Sequence, residues 1–360
     1  MFLPNRRLAS GRSGNQVSGV FLVLVFLLQG CRKSLDFVCF HAWRVKANKI
    51  EAFSILRTKI FLIILVLVAA ASLSAACRIE SANSVSTQKT REAIDDLGRK
   101  IKVPAKIERV VSLAPSLTEN VFAVGAGEKL VGVTSYCDYP AEAQKIAKIG
   151  DTINPNLETI IAQKPQLVLV TTASQIESFF GRMEDRGIAV FVTNPKSLED
   201  VLRNLRQIGE LLGTTEKSEQ LVRNLQNRIS DIENRVKNEK SARVFVQISP
   251  EPFTIGRDSF VTDLIARAGG DSVTKNVAES YPRISKETAL ASQPDAIILS
   301  AGGAMGEGNN EPSEIFKESP AVKNKRVYKI NGDFLARPGA RLVDGLEEIA
   351  RALHPQVFEK

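Results

Sequence analysis

Beyond residue 106 the chain alternates short runs of β-branched and aliphatic residues with longer stretches of helical period, the pattern of parallel strands covered by helices. Apolar runs predict strands at Arg109–Leu113, Leu130–Thr134, Leu167–Thr171 and Ala189–Thr193. A second set is predicted at Arg243–Ile248, Ala296–Ser300 and Val327–Ile330, with a last helix from Gly339 to Leu353. Between the sets, Ser197–Glu239 keeps a helical period relieved only at Gly213 and Thr214, a length beyond that of an ordinary globular helix. The two halves also echo each other. ETIIAQKP (Glu158–Pro165) precedes the strand QLVLVTT, and ETALASQP (Glu287–Pro294) precedes DAIILSA, at a constant offset of 129. The economical reading is an α/β fold of two Rossmann-like lobes joined by a long rigid helix, with the ligand cleft between the lobes. The boundaries are 106–196 for the N-terminal lobe, 197–240 for the backbone helix and 241–360 for the C-terminal lobe. A continuous spine resists bending, so lobe closure around a ligand is expected to be small.

The segment before the lobes has a different character. Ile60–Ala76 is an uncharged run of 17 residues, preceded by Arg57 and Lys59 and followed by Cys77. That is a signal-peptide layout, and LSAAC resembles a bacterial lipobox, so 57–77 is expected to be a signal and anchor segment with Cys77 lipidated. A second apolar run, Val20–Leu28, ends in LLQGC at Cys31 and resembles a lipobox too. The economical account treats 1–56 as an over-extended gene start or leader. Residues 78–105 are polar, without periodicity, and read as a tether. The expected location is exported, on the periplasmic or extracytoplasmic face of a membrane and lipid-anchored.

Charge supports that division. The net charge is +8, and residues 1–77 hold ten Lys/Arg against two Asp/Glu, leaving 38 against 38 in the remainder. The folded part is neutral, so no nucleic-acid partner is expected. Only two histidines exist, His41 and His354, which leaves no inventory for a multi-histidine metal site in the lobes. No Gly-x-Ser-x-Gly elbow, P-loop or paired Cys motif occurs there, and the glycines of SAGGAMGEGNN (Gly302 and Gly303 among them) lack the Lys-Ser/Thr ending of a phosphate loop. No catalytic residue, resident metal or cofactor is therefore expected, and the chain does not read as an enzyme. Cys137 reads as a small buried residue.

Four stretches carry a resemblance: RVVSLAPSLTENVFAVGAG (Arg109–Gly127), VGVTSYCDYPAEAQKI (Val131–Ile146), IGDTINPNLETIIAQKPQLVLV (Ile149–Val170) and GDFLARPGARLVDGLEEIARALHP. In this order and spacing the chain resembles the periplasmic solute-binding proteins of ABC importers for cobalamin, ferric siderophores and haem, whose lobes are joined by a single helix. SYCDYP and the PNLE segment are most similar to the cobalamin-binding branch. The resemblance implies a monomeric receptor that hands a metal-chelate small molecule to an ABC transporter permease and its ATPase. The expected ligand is cobalamin or another corrinoid, with a ferric siderophore or haem as the alternative. A non-transport structural or adhesive lipoprotein is the reading from another class.

A corrin, haem or siderophore calls for aromatic walls and a few edge donors. The candidates are Tyr136, Tyr139, Phe253, Tyr281, Phe334 and Arg337, the last for a ligand phosphate or carboxylate. By resemblance, Tyr136 takes the place of a tyrosine that packs on the corrin, and Tyr281 and Phe334 fall where the cobalamin branch has tryptophans. A further tryptophan position is Thr152 here, which widens the expected ligand from cobalamin to corrinoids and other large chelates. If haem is the ligand, Tyr136 or Tyr139 would supply the axial oxygen. The family presents one acidic residue per lobe to the permease; Glu119 and Asp258 match, with Asp263 the second choice for the second lobe. Ser116 followed by Glu119 also reads as a capping box.

Overall fold

The computed structural model describes residues 89–153, 155–172, 177–302 and 309–359. The chain divides into a unit Met1–Ser86 and a unit Thr87–Lys360, and all described residues belong to the second. The expectations for 1–56, for the signal and anchor 57–77 and for lipidation at Cys77 lie outside the described residues.

The tether reading of 78–105 does not survive where the structure begins. Thr90–Ile94 (β1) pairs antiparallel with Lys100–Pro104 (β2). The sequence KIKVP alternates on a period of two, and its inward residues Ile101 and Val103 are 6% and 0% exposed in the main core. Asp95 closes the turn, accepting from the backbone nitrogens of Leu97 and Arg99 and from the Arg99 guanidinium. Asp96 then fastens the hairpin to the body through Arg203, Asn204 and the Asn194 backbone.

The N-terminal lobe follows as Val110–Ser112 (β3), Pro115–Ala123 (α1), Leu130–Val133 (β4), Leu157–Ala162 (α2), Leu167–Thr171 (β5), Glu177–Glu184 (α3) and Ala189–Thr193 (β6). All pairings are parallel, in the order β4-β3-β5-β6. Two helices come next, Leu198–Leu212 (α4) and Thr215–Val236 (α5). The C-terminal lobe comprises Ala242–Gln247 (β7), Phe260–Arg267 (α6), Gly270–Ser272 (β8), Lys286–Ala291 (α7), Ala296–Ala301 (β9), Pro320–Lys323 (α8), Val327–Asn331 (β10), Gly332–Ala336 (α9) and Leu342–Leu353 (α10). Its order, β10-β9-β7-β8, repeats the first lobe's winding: second, first, third, fourth. The strand β8 is absent from the sequence reading because Gly-Asp-Ser offers no apolar run.

The sequence echo is a structural repeat. Helices α2 and α7 begin on side-chain caps, Asn156 accepting from Thr159 N and Ser285 from Thr288 N. Both lead to a left-handed residue directly before proline, Lys164 at φ 48° and Gln293 at φ 39°. The arginine that opens each lobe's first strand region closes this turn: Arg109 donates to the carbonyls of Gln163 and Lys164, and Arg243 to those of Ser292 and Gln293.

The predicted spine is two helices rather than one continuous run over 197–240. Gly213 ends α4 at φ 73°, a left-handed turn that glycine adopts without Cβ penalty, and Gly209 lies against Ser218 of α5 too closely for any side chain. The 22-residue α5, about 33 Å long at 1.5 Å per residue, is the long helix that joins the lobes. Lys217 near its start lies over Gly125 of the first lobe, and Val236 at its end packs on Gly269 of the second. Helix α4 also touches both lobes, through Leu198 N on Asp263 and Leu212 O on Lys129.

Strand alternation divides the core. Val110, Leu167, Leu169 and Phe191, with Val244, Val246 and Ile298, face the helices α1, α4, α5, α6 and α10 in one continuous cluster. Val111, Val168, Val170 and Val190 face a second cluster on the far side of the first sheet, as Phe245, Ile297 and Leu299 do in the second lobe. Sheets buried on both faces explain why the strands read as unbroken apolar runs. His354, placed by its sequence position near the tail, is 3% exposed with Nε2 3.2 Å from Gly269 O.

Candidate functional site

In parallel α/β sheets the loops leaving the carboxyl ends of the strands form the binding edge. After β4 that edge carries Ser135–Pro140, and after β10 it carries α9 and the turn to α10. Side chains from the two lobes meet here. Arg337, closing α9, has a side chain 6% exposed. It donates Nη1 to Glu119 at 2.9 Å and to Asp138 at 2.7 Å, and Nη2 lies 3.2 Å from Asp333. Arg341 gives Nε to Glu119 Oε2 at 2.8 Å and Nη2 to Oε1 at 2.6 Å, a two-pronged carboxylate contact. Its guanidinium stacks 4.1 Å from the Tyr139 ring centroid and 5.5 Å from that of Phe334.

Charge states follow from these contacts. Burial acts against the charge on Arg337, and the hydrogen bonds from Asp138 and Glu119 outweigh it, so the guanidinium is held more firmly protonated than usual. For Asp138 burial again opposes ionisation, and the Arg337 hydrogen bond and charge overcome it, leaving the carboxyl below its ordinary range. Three carboxylates surround two guanidinium groups, and Arg337 spends Nη1 on two of them. Its Nη2 is left without a hydrogen-bond partner among the described residues but is buried, so as placed it is not exposed to a ligand phosphate or carboxylate.

The aromatic candidates separate into groups. Tyr136 and Tyr139 stand 54% and 48% exposed on the β4 loop. That loop is fixed from beneath: Cys137, 1% exposed, lies 3.2 Å from the hydroxyls of both Thr118 and Thr134, and Lys148 Nζ donates to its carbonyl. Phe253 and Tyr281 belong to two segments of the second lobe that run alongside each other, with a Phe253–Arg283 bridge and Thr254 N bonded to Pro282 O. Tyr281 is 39% exposed, and desolvation pushes its phenol above the usual range against the opposing hydrogen bond from Ser259. Phe334 lines a pocket of about 270 Å³ with Arg228, Asp344, Glu347, Glu348 and Arg351, on the side of α5 and α10. Thr152, at the tryptophan position, is half-buried in the loop before α2.

The docking candidates differ sharply. The Glu119 side chain is 4% exposed and spends both oxygens on Arg337 and Arg341, so it presents no carboxylate to a permease in this structure. The capping-box reading is also replaced: Ala114 is the N-cap, Pro115 opens the helix, and no side-chain cap bond forms. In the second lobe Asp263 is committed to Leu198 N and Arg267. Asp258, 40% exposed and only loosely paired with Lys196 at 3.9 Å and Arg257 at 3.6 Å, remains accessible.

Sequence reasoning missed Arg341. Its signal was the repeated arginine of ARPGAR, which places two guanidinium groups on one turn. Among the described residues no group of three or more His, Cys, Asp or Glu is placed to hold a metal ion.

Residues 110–333 match the family model described as periplasmic binding protein. An uncharacterised ABC transporter substrate-binding lipoprotein, YvrC of Bacillus subtilis (strain 168), is 32% identical over 290 residues, covering 77% of this chain and 91% of its own. A vitamin B12-binding protein of Vibrio vulnificus (strain YJ016) is 30% identical over 246 residues, covering 68% and 89%. Among solved structures, the periplasmic haem-binding protein RhuT from Roseiflexus sp. RS-1, in apo form, aligns with a TM-score of 0.61 at 25% identity, over 70% of this chain and 99% of that one.

Proposed function

Because the chain belongs to the periplasmic binding protein family, and so serves an ABC importer outside the cytoplasm rather than acting as an enzyme, we propose that it is a lipid-anchored receptor for a cobalamin-like corrinoid. It takes the ligand into the cleft between its lobes and passes it, as a monomer, to the importer's permease and ATPase. The observation that carries the reading is the β4 loop. Two tyrosines that would normally be covered stand about half exposed at a strand carboxyl edge, on a loop pinned by Cys137 and Lys148 and facing the second lobe. Rigid, exposed aromatic faces suit a flat, largely apolar macrocycle edged with amides. The 30% identity to a vitamin B12-binding protein favours a corrinoid over other chelates.

Haem is the second reading, favoured by the likeness to a haem-binding receptor and by the same tyrosines. An axial phenolate would come from Tyr136 or Tyr139 on the exposed β4 loop. Mixing the purified protein with cyanocobalamin, haemin or a ferric siderophore and following the visible spectrum decides between them. A saturable corrinoid shift at one equivalent is expected. Saturable binding of haemin alone supports the second reading, and no saturable change with any of the three removes the receptor assignment.

A further inference from the structure

We propose that Glu119 is a positioning residue that ties the two lobes together through Arg337 and Arg341 and, through Arg341, sets Tyr139 against the cleft. The inference rests on the receptor reading for what the cleft holds, and on geometry alone for the tie. Glu119 lies on α1 of the first lobe, and both of its partners lie between α9 and α10 of the second, 218 and 222 residues away. Its carboxylate takes three hydrogen bonds, at 2.9, 2.8 and 2.6 Å, with a side chain 4% exposed. A charge so buried is stable only while its partners stay in place, so separating the lobes here would strand an anion and two cations. Asn120 extends the seam by donating Nδ2 to Pro338 O at 3.3 Å. Gly339 completes it: a Cβ there would lie 2.6 Å from Asn120 Oδ1, and Asn120 is only 1% exposed, so the backbones meet without room for a methyl group.

The consequence for the site runs through Arg341. Its guanidinium is held on one side by both Glu119 oxygens and stacks on the other against Tyr139 at 4.1 Å. Tyr139, half exposed, takes its orientation from that stack. Glu119 therefore acts on the ligand-facing loop from across the seam, without contacting the ligand itself.

The test uses the full-length protein free of any permease, with cyanocobalamin as probe, and compares Glu119→Gln, Arg341→Lys and Gly339→Ala. Glu119→Gln keeps the shape and removes the charge; Arg341→Lys keeps the charge and loses the two-pronged contact; Gly339→Ala wedges the seam with every charge intact. All three are expected to speed corrinoid release, Glu119→Gln by about tenfold or more and Arg341→Lys by less. All three should also quicken amide hydrogen exchange at 135–140 and 338–341. Unchanged release and exchange in Arg341→Lys and Gly339→Ala would overturn the proposal even if Glu119→Gln fails to fold. Loss of cellular uptake by a Glu119 variant whose release and exchange stay normal would also overturn it, by making Glu119 a docking group. If the wild type binds none of the chelates, the receptor reading fails, while the exchange comparison still decides the tie.

Discussion

Replacing Gly256 by alanine tests whether the two segments that carry Phe253 and Tyr281 act as one unit. Gly256 lies between them, its nitrogen bonded to Ser280 O at 2.9 Å and flanked by Thr254 N on Pro282 O and Arg257 N on Val277 O. A Cβ would fall 1.9 Å from Glu279 O and 2.7 Å from Val277 O, both backbone atoms with no rotamer by which to retreat. The segments must separate. Overpacking of this kind costs about 1–3 kcal/mol. Weakening two of the cross-segment hydrogen bonds adds about 0.5–1.5 kcal/mol each, which brings the expected loss to roughly 2–6 kcal/mol against a typical total of about 5–15 kcal/mol. Urea unfolding followed by far-ultraviolet circular dichroism should show the midpoint fall accordingly. In the folded fraction, corrinoid affinity should drop as well, because Phe253 and Tyr281 both hang on the separated segments. An unfolding free energy within about 0.5 kcal/mol of wild type, together with unchanged affinity, would refute the reasoning and show that the two segments are not coupled.

Two further outcomes are expected. Val103→Ala, at a 0% exposed position of the β1–β2 hairpin, should cost about 2 kcal/mol for its two lost methyl groups, whereas Lys102→Ala beside it should be silent in the same denaturant titration; a silent Val103→Ala would restore the tether reading of this segment. Asp138 gives the acid response its sign. Its carboxyl is held below the ordinary value of 3.8 in the folded chain, so it contributes stability above that value and loses it as pH falls through the folded one. Thermal unfolding should therefore be indifferent to this group between about pH 5 and 8 and should weaken below about pH 4, with Asp138→Asn flattening that limb; an unaltered acid limb in the variant would place the titration elsewhere.

What the sequence made legible is what local patterning dictates. Strands such as Ala189–Thr193 appear at the predicted residues because a sheet covered on both faces needs an unbroken apolar run, and no competing period exists there. The echo at offset 129 was readable because capping residue, left-handed turn and proline are all local chemistry, and the structure repeats them in both lobes with the same strand winding. The β1–β2 hairpin was hidden by its composition: lysines and arginines on the solvent side masked the alternation of Ile101 and Val103. Gly213 marks the helix break, but the apolar periodicity continues on both sides of its left-handed cap just as it would through an uninterrupted helix.

The candidate site shows the opposite balance, and Glu119 explains why. A serine followed three residues later by glutamate satisfies a local capping rule, and an exposed acid would also satisfy a docking role. Both readings treat the residue as belonging to its own helix. Its actual partners are more than two hundred residues away in the other lobe, and no local pattern reports a pairing whose ends meet only after both lobes have folded. The same logic removes Asp263, which serves the start of α4, and leaves Asp258 as the carboxylate of those three with accessible oxygen atoms. The tie proposed for Glu119 and the docking expectation for Asp258 therefore separate two tasks: the first rests on a buried carboxylate shared between the lobes, the second on an exposed one. Substitutions at Glu119 and at Asp258 should accordingly fail in different assays, the first in ligand retention by the isolated protein and the second in transport alone.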